Sequence, residues 1–226
     1  MDVEGTTAVR TAEVHSTRVM LDRVEARNHI KPDRLSGDTA YGSAEMLNWL
    51  VNERGIEPHI PVFDKSFRKD GIFERSDFTF DAEDDRYVCP AGKSLRRYRV
   101  AGRAAKAKPP RDGLYRYRAR KTDCDDCPLK HRCCPKEPMR KILRSVHEEA
   151  RDVARRIMAS EAYVTSRRER KKVEMLFAHL KRILKLDRLR LRGPNGAKDE
   201  FLLAATAQNL RKLAKLSIQG ALPAAG

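Results

Sequence analysis

No apolar run in this 226-residue chain approaches the roughly 18–20 residues that a bilayer-spanning helix needs, although 40% of its residues are hydrophobic. The N-terminus has no apolar leader of the kind that marks a secretory signal. The expectation is an intracellular, cytoplasmic protein with no membrane partner. Cysteine is absent outside one section, and all five cysteines fall between Asp64 and Pro138. In a reducing compartment they read as thiols or metal ligands before disulfides. Glycine and proline are missing from Lys141 to Leu191, which leaves that stretch free to be helical. No internal repeat is visible.

Cations are abundant instead. The formal net charge is +16, a surplus that favours an anionic partner, nucleic acid being the commonest. The surplus is unevenly placed. Residues 1–64 carry seven Lys/Arg against eleven Asp/Glu, and residues 140–192 carry seventeen against seven. An acidic section joined to a basic helical one suggests a built surface rather than a general excess of lysine and arginine.

Apolar spacing predicts a helix over 14–28, a short strand over 34–38 and a second helix after Ser43, a good N-cap. Gly55 is the expected C-cap of that helix. Residues 56–63 follow as a strand whose two prolines suggest an edge. With strand character in the opening MDVEGTT, the alternation is that of an α/β unit with crossover connections. From Asp64 to about Pro138 helical periodicity disappears, and short β-prone pieces such as FTFD and RYVCP sit among Gly, Pro, Lys and Arg. Helix returns from Lys141 to Leu191, and residues 201–218 read as a final amphipathic helix. The expected organisation is therefore 1–63, 64–140 as an insertion, and 141–226.

Two carboxylates stand out. Asp38 lies at the C-terminal end of a predicted strand, where ligands of open α/β sheets bind; it could equally cap the turn that follows. Glu174 lies in RRERKKVEMLFAHLK, residues 167–181. At about 100° per residue, Arg170, Glu174 and Lys181 project within roughly 40° of one another. Val173, Leu176, Phe177, Leu180, Ile183 and Leu184 form the adjacent apolar stripe, which places Glu174 at the border of core and surface. It could be half of a surface ion pair with Arg170. Taken together, an acid at a strand end and an acid on a basic helix could hold divalent cations beside a phosphate backbone.

The run GDTAYGSAEMLNWL, the segment RERKKVEMLFAHLKR and the closing FLLAATAQNLRKL resemble bacterial insertion-sequence transposases of the Asp-Asp-Glu type. The resemblance implies an α/β, RNase H-like fold, here incomplete, with a cysteine-containing insertion and C-terminal helices. It implies Mg²⁺-dependent cleavage of DNA ends and strand transfer, with Asp38 and Glu174 as catalytic metal ligands. Arg170, Lys171, Lys172, Lys181 and Arg182 would bind DNA phosphates. The family's helical signature runs Tyr, Arg, Glu, Lys; Arg170, Glu174 and Lys181 match its last three members. Arg167 stands in the tyrosine's place, and Tyr163 lies a turn earlier. The family's first Asp sits on an earlier strand than Asp38, and Asp2 resembles the start of a later strand than that one. The chain thus resembles the C-terminal part of such an enzyme with one carboxylate of three lacking, and it is expected to be inactive alone. Its partners would be transposon-end and target DNA in the nucleoid, with a homodimer left open.

Cys89, Cys124, Cys127 and Cys133 could supply four thiolates to a structural Zn²⁺, with His131 as a spare ligand. Free thiols in a loop-rich insertion are the alternative. Arginines 96, 97, 99, 116 and 118 interleave with Tyr98, Tyr115 and Tyr117. On strands this would suit phosphate contact, or simply form a solvated face. His59, His147 and His179 read as structural. Two other functional readings remain open: a non-catalytic DNA-binding transposase remnant, and a zinc-ribbon nucleic-acid-binding module.

Overall fold

The computed structural model describes residues 4, 6, 10–64, 70–98 and 110–218. The opening MDVEGTT strand, Asp2 included, and the C-terminal ALPAAG lie largely or wholly outside them. Helix α1 (Arg10–Asn28) leads to strand β1 (Arg34–Ser36). A short 3-10 turn, Thr39–Tyr41, precedes helix α2 (Ala44–Asn48), which runs on through a π-helical turn at Trp49–Arg54 to strand β2 (Glu57–His59). Ser43 caps α2 by accepting from Met46 N, as expected. Gly55 ends the π turn in the left-handed conformation, φ 62°, where a Cβ would be strained. β1 and β2 pair in parallel, Ser36 opposite His59.

Met46, Leu47, Leu50, Ile56 and Ile60 are buried against Leu21 of α1 and Ala150 and Ala154 of helix α5 (Glu148–Met158). Full burial of a leucine side chain is worth roughly 1.5–3 kcal/mol, so this cluster anchors α5 on the α/β unit. Gly42 matters for a different reason. A Cβ there would lie 2.0 Å from the Pro61 carbonyl oxygen and 2.7 Å from Phe63 N. Only glycine lets the turn after Asp38 press against the chain leaving β2, where Phe63 N donates to Gly42 O.

Residues 79–145 form an antiparallel sheet in the order β3 (Thr79–Asp81), β4 (Arg86–Val88), β5 (Ser94–Arg97), β6 (Leu114–Arg118) and β7 (Lys141–Ser145). Two short helices, α3 (Lys121–Asp125) and α4 (Lys130–Cys133), sit between β6 and β7. Lys141–Ser145 was expected to be helical; it is the fifth strand. The reason is its period-2 pattern: Ile142 and Arg144 are buried while Lys141 and Leu143 are exposed. Tyr87, Leu95, Tyr117 and Ile142 form the buried face with Phe78 and three cysteines.

The final helices are α6 (Glu161–Arg182) and α7 (Gly193–Ile218). α7 starts eight residues earlier than its apolar periodicity suggests, with Pro194 at a first-turn position that needs no N–H donor. No described helix is long and apolar enough to cross a membrane. The apolar stripe of α6 departs from expectation. Of its six members only Leu180 is buried; Val173, Leu176, Phe177, Ile183 and Leu184 are exposed. Few groups cover that half of the helix: Gln208 of α7 donates to Leu176 O, and Arg211 meets the His179 ring.

Candidate nucleic-acid interface

Asp38 lies two residues past the end of β1 and is exposed. Its Oδ1 accepts from Ala40 N at 2.7 Å, capping the 3-10 turn that Gly42 closes. Glu174 is exposed on α6, and its Oε1 accepts from Arg170 Nε and Nη2, both at 3.1 Å. Each of the two acids thus has the local partner that its sequence neighbourhood offers.

The two acids are approached from β1 and α6, and α6 meets the β1–β2 pair at two contacts. Arg34, at the start of β1, pairs with Glu169 of α6 at 3.1 Å. Tyr163 of α6 stacks beside His59, which is paired with Ser36 at the other end of β1. The two contacts run in opposite order along β1 and α6. Among the described residues, no three His, Cys, Asp or Glu side chains are arranged to hold a metal ion.

The cations on α6 are better placed. With α6 helical throughout, Arg170, Lys171, Lys181 and Arg182 fall within an arc of about 120° that includes Glu174. Lys171, Lys181 and Arg182 are exposed. Among the described residues none of the three makes an ion pair. Lys172 is also exposed and stands about 160° round the helix from Glu174. Tyr163, a turn before the place of the signature tyrosine, packs inward beside buried His59.

All five cysteines line one small enclosed cavity of about 20 Å³, together with Leu95, Ala119 and the Lys130 and Arg140 side chains. The fold between β4 and β7 explains the convergence. Cys89 closes the turn between β4 and β5, Cys124 and Cys127 come from α3 and its end, and Cys133 and Cys134 come from the end of α4. All five are free. Burial pushes the Cys133 thiol up to about 12, aided by neighbouring Cys134. Burial also raises Cys134. Without a metal ion both are protonated and unreactive at neutral pH.

One cluster carries no signal that the sequence alone made legible. Glu148, at the start of α5, is almost fully buried. Its carboxylate accepts from Arg75, from Arg151 at 3.0 Å and from Arg155 at 2.9 Å. Burial would raise its pKa, but the Arg75 guanidinium, with Arg151 and Arg155, outweighs burial and holds it below the ordinary glutamate range. Asp64 closes the network through the same three arginines at 3.1–3.3 Å. The Glu148, Arg151 and Arg155 spacing in EEARDVARR puts them on one side of α5, but Arg75 is 73 positions away. The network ties the segment before β3 to α5.

His59 is buried, 3.4 Å from Glu57. His147 precedes α5, its backbone N donating to Ser145 Oγ. The His179 ring lies 3.3 Å from Gln208 Nε2 of α7.

A family model described as a transposase DDE domain matches residues 88–214. The match takes in β5 to β7, the cysteine helices, and α5 and α6 with Glu174; it does not reach Asp38. No curated protein and no solved structure matches the chain.

Proposed function

We propose that this chain, which belongs to the transposase DDE-domain family, binds DNA through the basic face of α6 and does not cut DNA on its own. The family implies DNA as partner, a divalent metal such as Mg²⁺ and an RNase H-like α/β fold. The observation that carries the reading is the exposed, unneutralised set Lys171, Lys181 and Arg182 beside Glu174 on α6, inside the matched region. Exposed lysines and arginines on one helix face meet phosphates and release their counterions.

Asp38 and Glu174 are proposed as two carboxylates of the family's metal site. When bound, the metal ions would activate the attacking oxygen and stabilise the leaving one. Both acids are exposed and held only by exchangeable contacts, Ala40 N and Arg170. Two carboxylates alone would leave such a site short of ligands, and among the described residues no group of three His, Cys, Asp or Glu could hold a metal ion, which supports a chain that recognises DNA without hydrolysing it. The test is paired. Fluorescence anisotropy should give salt-sensitive duplex binding, and incubation of end-bearing DNA with Mg²⁺ should leave it intact. Nicking that is abolished by Asp38→Ala would overturn the non-cleaving part.

Structural zinc at Cys89, Cys124, Cys127 and Cys133 is proposed for the insertion. The convergence of all five cysteines on one cavity supports it, as does the soft-donor chemistry that suits Zn²⁺. Because the thiols are not drawn together as in a filled tetrahedral site, zinc would have to displace protons and tighten the cluster. Elemental analysis of reduced, freshly purified protein should give about one zinc per chain; none at all would end this part.

A further inference from the structure

The five-stranded sheet has two chemically different faces. One is the core face of Tyr87, Leu95, Tyr117 and Ile142. The other carries a row of cations in direct register across four strands. Arg86 is opposite Arg96, Arg96 is opposite Arg118, and Arg118 is opposite Lys141. Neighbouring strands lie about 4.8 Å apart, and like charges directly opposite one another destabilise a sheet. A four-cation row is therefore a local rule broken, of the kind that marks a site kept for function.

The ends of the row are neutralised within the insertion. Arg86 pairs with Asp81 at 3.0 Å and Asp84 at 2.9 Å, and Lys141 pairs with Glu137 at 2.9 Å. Arg116, on the same face, is taken by Asp112. The middle of the row is not neutralised. Asp84 and Asp85 line a cleft with Arg96, but Asp84 is engaged by Arg86, and Asp85 by Arg97 and Tyr117. Among the described residues neither Arg96 nor Arg118 has a carboxylate partner. The Arg118 guanidinium instead lies 3.8 Å above the ring of Tyr98, and its Nε is buried with no hydrogen-bond partner. Tyr98 itself is exposed.

We propose that Arg96 and Arg118, with Tyr98, form a second contact to the DNA phosphate backbone, separate from α6. This rests on the DNA-binding reading above and names a further surface for the same partner. An extended anion fits better than a small one, because the pair lies on an open sheet face rather than in an enclosed pocket. The sequence around the pair is also basic. From Arg86 to Arg111 the sequence holds nine Lys/Arg and no Asp or Glu. Guanidinium groups present paired N–H donors that suit phosphate oxygens. No base edge is read, so the contact should be indifferent to sequence.

The test uses the full chain. Arg96→Gln/Arg118→Gln is compared with the unaltered protein on two unrelated 20-bp duplexes across a salt series. The proposal expects both duplexes to lose affinity equally. The slope of log K against log salt should become shallower by about two, at roughly 0.9 per phosphate contact, and Arg96→Lys/Arg118→Lys should largely restore it. An unchanged slope in a variant that still binds through α6 overturns this surface and leaves the α6 reading standing. Absence of DNA binding by the unaltered chain, or a preference for single-stranded RNA, overturns both. If the glutamine variant does not fold, arginine modification of the unaltered chain by phenylglyoxal decides. Duplex DNA should protect Arg96, and equal labelling with and without DNA contradicts the proposal.

Discussion

Arg75, in the 3-10 turn before β3, donates to the buried carboxylate of Glu148 at the start of α5, across 73 positions of sequence. That contact, with Arg151 and Arg155 completing the shell, ties the cysteine-bearing sheet to the unit that carries Asp38. Removing one partner of a buried ion network leaves the others uncompensated and costs roughly 3–5 kcal/mol. Glu148→Gln should therefore lower the unfolding free energy by several kcal/mol, seen by circular dichroism as a lower denaturant midpoint. A variant as stable as the parent would remove the network from the account.

The same network sets a pH dependence. The Glu148 carboxyl is held below its ordinary value of 4.5 in the folded chain. Its contribution is complete above that ordinary range and is lost as pH falls through the depressed folded value. Thermal melts should show stability dropping on acidification below about pH 4.5, and Glu148→Gln should flatten that part of the curve. Equal acid sensitivity in both proteins would assign it to other carboxylates.

Glu174→Gln should be close to neutral for stability. Its pair with Arg170 is solvent-exposed, and such pairs are worth about 0–1 kcal/mol. DNA affinity should be unchanged or slightly higher, since a negative charge leaves the basic face. A large loss of stability would mean that Glu174 does more in the fold than its exposed i,i+4 pair indicates.

Gly42→Ala tests the turn that holds Asp38. The added Cβ meets backbone atoms of Pro61 and Phe63, which cannot move aside as a side chain would. Overpacking of this kind costs about 1–3 kcal/mol, and it should break the Phe63 N to Gly42 O bond. Hydrogen exchange should show the amide of Phe63 losing protection; retained protection would mean that the approach is looser than described.

Much of the α/β unit was legible because its signals are local. Ser43, Gly55 and the apolar spacing of Met46, Leu47 and Leu50 specify α2 and its continuation without reference to distant residues. The local alternatives for Asp38 and Glu174, a turn cap and an ion pair, were also legible, and both are present. β7 was missed because a gap in Gly and Pro permits helix without requiring it, and five residues of alternation decided for strand. The in-register arginines needed the pairing of β5 with β6, which spacing within one strand does not give. Glu148 was invisible because its principal cation comes from another part of the chain. The apolar stripe on α6 had the right period for a core face, but period does not say whether a neighbour exists to cover it.

The central claim is that the basic face of α6 binds DNA phosphates. Its most direct test is the salt dependence of duplex binding by the full chain and by Lys171→Ala/Lys181→Ala/Arg182→Ala. The account predicts a steep negative slope for the unaltered protein, shallower by about 0.9 for each removed cation that contacts a phosphate, with circular dichroism unchanged. A slope near zero in the unaltered protein, or the same slope in the triple variant, would contradict it.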